Sequence, residues 1–127
     1  MAFLLDTHAL IWWLEGDERF PITTREQLLT QRPVLWVSTV SFWEISIKRS
    51  IGKLLDLSQS TEKLWDEARK QGFVMLQIDI RHLNQLEQLP FHHRDPFDRL
   101  LIAQAQVEDL TVLTRDAQFD AYEVPVR

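Results

Sequence analysis

The chain has 127 residues, with 14 lysines and arginines against 19 aspartates and glutamates, a formal charge of −5. Apolar residues at 45% and charged residues at 26% describe an ordinary globular composition, excluding disorder and low complexity, and the length suits a single domain over residues 1–127. The absence of cysteine excludes disulfide scaffolds, cysteine zinc sites, iron–sulfur clusters and thiol nucleophiles, and agrees with a reducing cytoplasm. The longest apolar run, Ala9 to Leu14, has six residues, against the ~18 a membrane span needs. No basic n-region opens the chain and Asp6 interrupts its first apolar stretch, so neither a leader nor a membrane association is expected.

In chain order, Ala2 to Leu5 reads as a short buried strand, followed by the apolar segment Ala9 to Leu14 that stops near Gly16. Thr23 to Gln31 reads as a helix with Thr23 or Thr24 as its cap, and Pro33 separates it from a second strand, Val34 to Val37. Ser41 is expected to open the next helix, which carries Phe42 to Ser50. A turn-rich connection spans Asp56 to Ser60. Ser60 or Thr61 to Gln71 is an amphipathic helix closed by Gly72, where left-handed geometry is needed. Phe73 to Ile78 is a third strand, Asp79 to Leu89 a helix ended by Pro90, and Pro96 to Glu108 a helix leading into a fourth strand, Leu110 to Thr114. Val124 to Val126 reads as an edge strand, since Pro125 is tolerated there. Strands without alternation, separated by helices, predict a three-layer α/β/α sandwich on a mainly parallel sheet. In such sheets ligands bind beyond the carboxyl ends of the strands.

Acids occupy those places. Asp6 follows strand one, Glu44 lies one turn into the helix after strand two, and Asp116 lies just past strand four. Asp98 sits in the first turn of the helix before strand four, three residues after Asp95. Each has a purely structural alternative. Ser41 and Glu44 have the spacing of a capping box, Asp95 precedes a proline at the first helical position, Asp6 caps the helix after strand one, and Asp116 starts a turn. The joint pattern points further. Glu44 heads a stripe with Ile47, Lys48 and Ile51, and Asp98 one with Leu101, Ile102 and Ala105, so both carboxylates are expected over faces packed on the sheet. Carboxylates gathered there repel one another unless a cation joins them, and an all-oxygen site suits Mg²⁺ or Mn²⁺. Without the four acids the chain carries 15 acidic residues against 14 basic ones. Lys48, Arg49, Lys53, Arg94, Arg99 and Arg115 then form a basic rim in sequence, suited to phosphates.

Four stretches, LLDTHALIWWL, STVSFWEISIKRSIGKL, HHRDPFDRLLIAQA and LTVLTRDAQFDAY, span nearly the whole chain. With them the sequence resembles a PIN domain, and more narrowly a VapC-type ribonuclease toxin of a type II toxin–antitoxin pair. The resemblance implies a Mg²⁺- or Mn²⁺-dependent endoribonuclease that cleaves RNA and so inhibits translation and growth. By motif position it places the catalytic set on Asp6, Glu44, Asp98 and Asp116, with Asp6, Asp98 and Asp116 as metal ligands. Glu44 is expected to bind a second ion or orient water. Thr114 corresponds to a supporting hydroxyl residue, and Asp95 is a secondary candidate. Two departures are the missing glycine in the turn Val107 to Asp109 and the end of the chain at Arg127, soon after the edge strand.

Arg99 and Arg115 are candidate phosphate contacts. His8 is a candidate neighbour of the ligands, and His92 and His93 form a loop pair near phosphate or solvent. Adjacent Trp12 and Trp13 cannot face one core, so one is expected at an interface. Phe42, Trp43, Ile45, Ile47 and Ile51 spread apolar surface around more than one helix face, which is either deeply buried or shared with a partner. The resemblance implies a homodimer and a VapB-type antitoxin whose segment lies across the cleft and offers it an arginine. Two rival readings are a catalytically silent protein-binding module and an aspartyl-phosphate phosphohydrolase. The second chemistry wants another Asp two residues after Asp6, where His8 stands.

Overall fold

The computed structural model describes residues 2–54 and 57–127. Its elements are β1 (Ala2–Leu5), α1 (Thr7–Glu15), α2 (Ile22–Gln31), β2 (Val34–Ser38), α3 (Thr39–Ser50), α4 (Thr61–Lys70), β3 (Val74–Leu76), α5 (Ile80–Gln88), α6 (Pro96–Glu108) and β4 (Thr111–Leu113). A 3₁₀ turn, Ala117–Ala121, follows β4. The strands form a parallel sheet in the order β3-β2-β1-β4, with Leu4 opposite both Trp36 and Val112. Successive β1 side chains face opposite ways, as the two-residue strand period requires. Phe3 and Leu5 join a core with residues of α1, α3 and α4, whereas Leu4 joins a second core dominated by α6. This is the expected α/β/α sandwich. Among the described residues no helix is long and apolar enough to cross a membrane.

Several boundaries differ from the sequence expectation. The third and fourth strands shrink to Val74–Leu76 and Thr111–Leu113 because their partners run out: β3 pairs only with Trp36 to Ser38, and β4 only with Phe3 to Leu5, before each partner turns into a helix. The expected edge strand reduces to one bridge, Val126 beside Val112. Helix α2 begins at Ile22 after Pro21 without a side-chain cap, so Thr23 and Thr24 lie inside it. Helix α3 begins at Thr39, directly off β2, with Ser38 as its cap accepting from the Val40 amide. Ser41 therefore lies within the helix, and the expected Ser41–Glu44 capping box does not form. Asp56, at the start of the expected connection, is outside the described residues.

Left-handed backbone closes several of the helices. Gly72 supplies φ 85° after α4, as expected. At the end of α6, in the turn Val107 to Asp109 where glycine is missing, Asp109 takes φ 56° and its amide bonds the Ala105 carbonyl. Aspartate is among the few residues that tolerate this region. The chain runs from β1 outward through β2 to β3, then returns to place β4 on the other side of β1. The crevice at that reversal, beyond the carboxyl ends of β1 and β4, is where such sheets bind ligands.

Candidate active site

The four acids meet at that crevice. Asp6, Glu44, Asp98 and Asp116 line one polar cleft of about 170 Å³, together with Thr7, His8, Lys48, His93, Arg94, Asp95 and Gln118. Strand β1 ends at Leu5, so Asp6 falls at the N-cap of α1, where one carboxylate oxygen accepts from the Ala9 amide at 2.8 Å. Its other oxygen accepts from the Thr114 hydroxyl at the end of β4. That hydroxyl also accepts from the Asp116 amide at 3.0 Å, so one threonine ties the two aspartates together. Asp116 caps the 3₁₀ turn through the Gln118 amide at 2.9 Å. Asp95 caps α6, taking the amides of Phe97 and Asp98 at 2.9 Å each. Capping and site membership are thus compatible, because a carboxylate has about four lone-pair positions and a cap uses one or two.

Glu44 projects from the second turn of α3 and is 2% exposed. Its Oε1 accepts from the Thr7 hydroxyl at 2.6 Å, and its Oε2 from Lys48 Nζ one helical turn on. Thr7 and Ser41 hydroxyls lie 3.0 Å apart and share a further hydrogen bond. The stripe expected below Glu44 is not packed on the sheet. The buried face of α3 is Val40, Ser41, Phe42, Glu44 and Ile45, while Ile47 and Ile51 are exposed. The Asp98 stripe is as expected, with Leu101, Ile102 and Ala105 buried.

Burial pushes the Asp98 carboxyl up to about 8, and the charges of Asp95, Glu44, Asp6 and Asp116 add to the rise. Burial also raises the Asp6 carboxyl, opposed by the hydrogen bonds from Thr114 and Ala9. Crowded carboxylates in a half-dry cleft hold protons when no cation is there to replace them.

The basic rim is smaller than its sequence neighbourhood implies. Lys48 and Arg94 line the cleft. Arg99 is buried, donating to the Pro90 carbonyl at 2.9 Å and to the Tyr122 hydroxyl at 3.3 Å while its guanidinium lies over Phe91. It is a packing residue and is removed from the phosphate contacts. Arg49 bonds the carbonyls of Leu57 and Gln59, and Arg115 bonds the Arg19 carbonyl, which sets both outside the cleft lining. His8 lines the cleft and stacks beside Trp12. Trp13 is buried and half-buried Trp12 packs against the same core, so the expectation that the pair could not face one core does not hold.

Sequence reasoning missed three supports. Thr7, the second letter of the Asp6–Thr7 pair, holds Glu44, and Lys48 was read only as a base of the rim. His93 packs edge-on to Tyr122, with Nδ1 2.8 Å from the Tyr122 hydroxyl and Nε2 3.4 Å from Asp98 Oδ2. Nothing local in the sequence joins residues 93 and 122.

A second group of potential ligands, Asp79, His82 and Glu108, has donor atoms within 4.8 Å of one another. They are already satisfied. Arg81 bridges Asp79 and Glu108 at 2.8 Å each, His82 Nδ1 accepts the Asp79 amide at 3.0 Å, and its Nε2 meets Glu108 at 3.1 Å. This group locks α5 onto the end of α6.

Comparison with known proteins places this geometry. The profile of the PIN domain family matches residues 3–125. No curated protein sequence matches this chain. Among solved structures, a chain of VapBC2 from Rickettsia felis, crystallised with a DNA fragment of its promoter, is similar at a TM-score of 0.72 and 13% identity, covering 100% of this chain and 98% of that one. A toxin–antitoxin complex from Klebsiella pneumoniae gives 0.63 and 19%, covering 98% and 94%. VapBC-5 from Mycobacterium tuberculosis, of the VapBC family of toxin–antitoxin systems, gives 0.59 and 20%, covering 99% and 95%. At these identities the likeness is one of fold. With the family profile spanning nearly its whole length and four acids gathered at the expected sheet edge, this chain belongs to the PIN domain family.

Proposed function

We propose that the chain is a Mg²⁺- or Mn²⁺-dependent endoribonuclease of the VapC type, the toxin half of a toxin–antitoxin pair that acts in the cytoplasm by cleaving RNA and so inhibits translation and growth. The observation that carries this reading is the convergence of Asp6, Glu44, Asp98 and Asp116, from four separate elements, in one cleft. The donor set fits a hard divalent cation: the lining carboxylates supply oxygens, and the Asp98 carboxyl is pushed up to about 8 by burial and by the neighbouring carboxylates whose charge a cation would neutralise. A bound divalent ion supplies charge that polarises the scissile phosphate and makes an attacking water more acidic.

The chain's own residues do the rest. Asp6, Asp98 and Asp116 hold the ion. Thr114 fixes the angle of Asp6 and ties it to Asp116. His93, held by Tyr122, sits against Asp98, and Asp95 keeps the first turn of α6 in place. Arg94 meets the RNA backbone at the rim. Glu44 anchors the opposite wall of the cleft.

The partners are a VapB-type antitoxin and a second copy of the chain. Trp43 and Ile47 of α3 and Ile51 at its C-cap are 49%, 43% and 63% exposed, and Phe97 packs edge-on against Trp43, forming an apolar patch suited to a dimer interface. Sedimentation at micromolar concentration is expected to give a dimer, and Ile47→Lys a monomer; a wild-type monomer would refute the interface. For the activity, purified protein is incubated with RNA in EDTA and then with added Mg²⁺ or Mn²⁺. Cleavage should vanish in chelator and return with the ion. Undiminished cleavage in EDTA would sink the metal mechanism, and no cleavage with either ion would favour the silent binding module. Co-expression of the neighbouring small protein should relieve growth arrest.

A further inference from the structure

Glu44 differs from the three aspartates of the cleft in having a lysine of the chain on its carboxylate: Thr7 donates to one oxygen and Lys48 to the other. Asp6 also has both oxygens bonded, but to the uncharged Ala9 amide and Thr114 hydroxyl. Swinging the carboxylate toward the cleft breaks both bonds and leaves the buried Thr7 hydroxyl, itself tied to Ser41, with one partner fewer. Asp98, by contrast, has only the 3.4 Å approach of His93 at its Oδ2. Of the Glu44–Lys48 pair, the carboxylate side chain is 3% exposed and the lysine side chain 28%. Both residues line the cleft with Asp6, Asp98 and Asp116, and the lysine is the more exposed of the two. An ammonium has three N–H donors, so one on Glu44 leaves two.

The charges divide accordingly. Lys48 neutralises Glu44, and one divalent ion serves the three aspartates. A second divalent ion beside Glu44 has to displace Lys48 from that carboxylate and remain next to its positive charge in a half-dry cleft, where charges act at low dielectric. We propose that the cleft takes a single divalent ion on the Asp6, Asp98 and Asp116 side, and that Lys48 occupies the place of a second, turning its free N–H donors toward a phosphate oxygen of the RNA. This rests on the metal-dependent reading above and assigns Lys48 a role that its bond to Glu44 positions it to fill: it is the cation of the Glu44 wall.

The test counts ions. Mn²⁺ is titrated into the full chain by calorimetry, with bound Mn²⁺ counted independently by electron paramagnetic resonance, for wild type, Lys48→Arg and Lys48→Met. The expected result is one Mn²⁺ per chain in wild type and in Lys48→Arg, and two at saturation in Lys48→Met, whose Glu44 is released. Cleavage by Lys48→Met should fall about tenfold or more at Mn²⁺ that saturates wild type, and recover in part as Mn²⁺ is raised. A loss of packing alone would not make the rate depend on a second ion. Two ions in wild type overturn the proposal, whatever the variants do, and so does a count of one in Lys48→Met. One bound Mn²⁺ in a chain that cleaves no RNA defeats the nuclease reading and leaves the ion count standing. No bound Mn²⁺ in wild type defeats both.

Discussion

The fold holds two acidic groups of similar make-up and opposite character. At the cleft, Asp6, Glu44, Asp98 and Asp116 face one another with Lys48 committed to one of them, and burial with mutual repulsion drives the Asp98 carboxyl up to about 8. At the start of α5, Asp79 and Glu108 share Arg81, His82 completes a capping box, and the Arg81 hydrogen bonds pull the Asp79 carboxyl down to about 2. Ligand-like proximity is common to both. What separates them is whether the chain supplies the cation. A bidentate arginine satisfies the second group within the protein, whereas the first is left short of positive charge.

Substitution should break the comparison most sharply. Asp6→Asn or Asp98→Asn is expected to lower RNA cleavage by about a thousandfold or more with the fold intact, because the amide keeps the shape and loses the charge. Glu108→Gln should leave cleavage unchanged in a single-turnover assay and cost about 1–3 kcal/mol in a thermal melt, since His82 and Arg81 lose their anionic partner. Cleavage that responds to Glu108 would place the chemistry at the wrong group.

Divalent ion should separate the groups next. At roughly a hundred times its dissociation constant Mn²⁺ adds about 2.7 kcal/mol to the folded state, a shift of several degrees in Tm for a chain of this size. Asp98→Asn should lose at least half of that shift and Asp79→Asn none of it. Equal shifts in wild type and Asp98→Asn would mean that the ion binds elsewhere.

The pH dependences run in opposite directions. The folded metal-free chain holds the Asp98 proton more tightly than the unfolded chain does, so this group's contribution to stability declines as pH rises from about 4 to about 8. The carboxylates of Asp95, Glu44, Asp6 and Asp116 and the imidazole of His93 face it, and Asp98→Asn should flatten the slope. Asp79 is stabilised as the anion, so its contribution is present above about pH 4 and is lost as pH falls toward 2. Melting curves across pH in EDTA check both. The smallest effect is expected at Thr114: Thr114→Val should weaken Mn²⁺ binding about tenfold through Asp6, and Thr114→Ser should restore it.

The sandwich, its strand sequence and the four acids were readable from the chain because each depends on local pattern: short apolar runs, caps and breakers, and carboxylates directly after strands. Asp95 and Pro96 marked the start of α6 correctly for the same reason. The misreadings fell where two elements compete for the same residues. Ser38 and Ser41 are both plausible caps, and the choice went to Ser38 because it also ends the ladder with β3 and donates to Gln104 at 2.6 Å. The exposure of Ile47 and Ile51 was decided separately, by which face of α3 packs inward, where Glu44 and Ile45 are buried. Arg99 stands beside Asp98 in sequence yet lies in the second core against Tyr122 and Phe91, since consecutive helical residues point about 100° apart.

By itself the sequence determined which carboxylates lie at strand ends, that the sheet is parallel, and that the family's motifs run from end to end. Only the tertiary structure decided how those carboxylates are held and neutralised. Thr114 reaches Asp6 across 108 positions and Thr7 reaches Glu44 across 37, while His93 finds Tyr122 across 29. The first two pairings follow from the side-by-side placement of β1, β4 and the start of α3, the third from the loop before α6 meeting the segment after the 3₁₀ turn, and hydrogen bonds acting over about 3 Å leave no periodic trace in a chain.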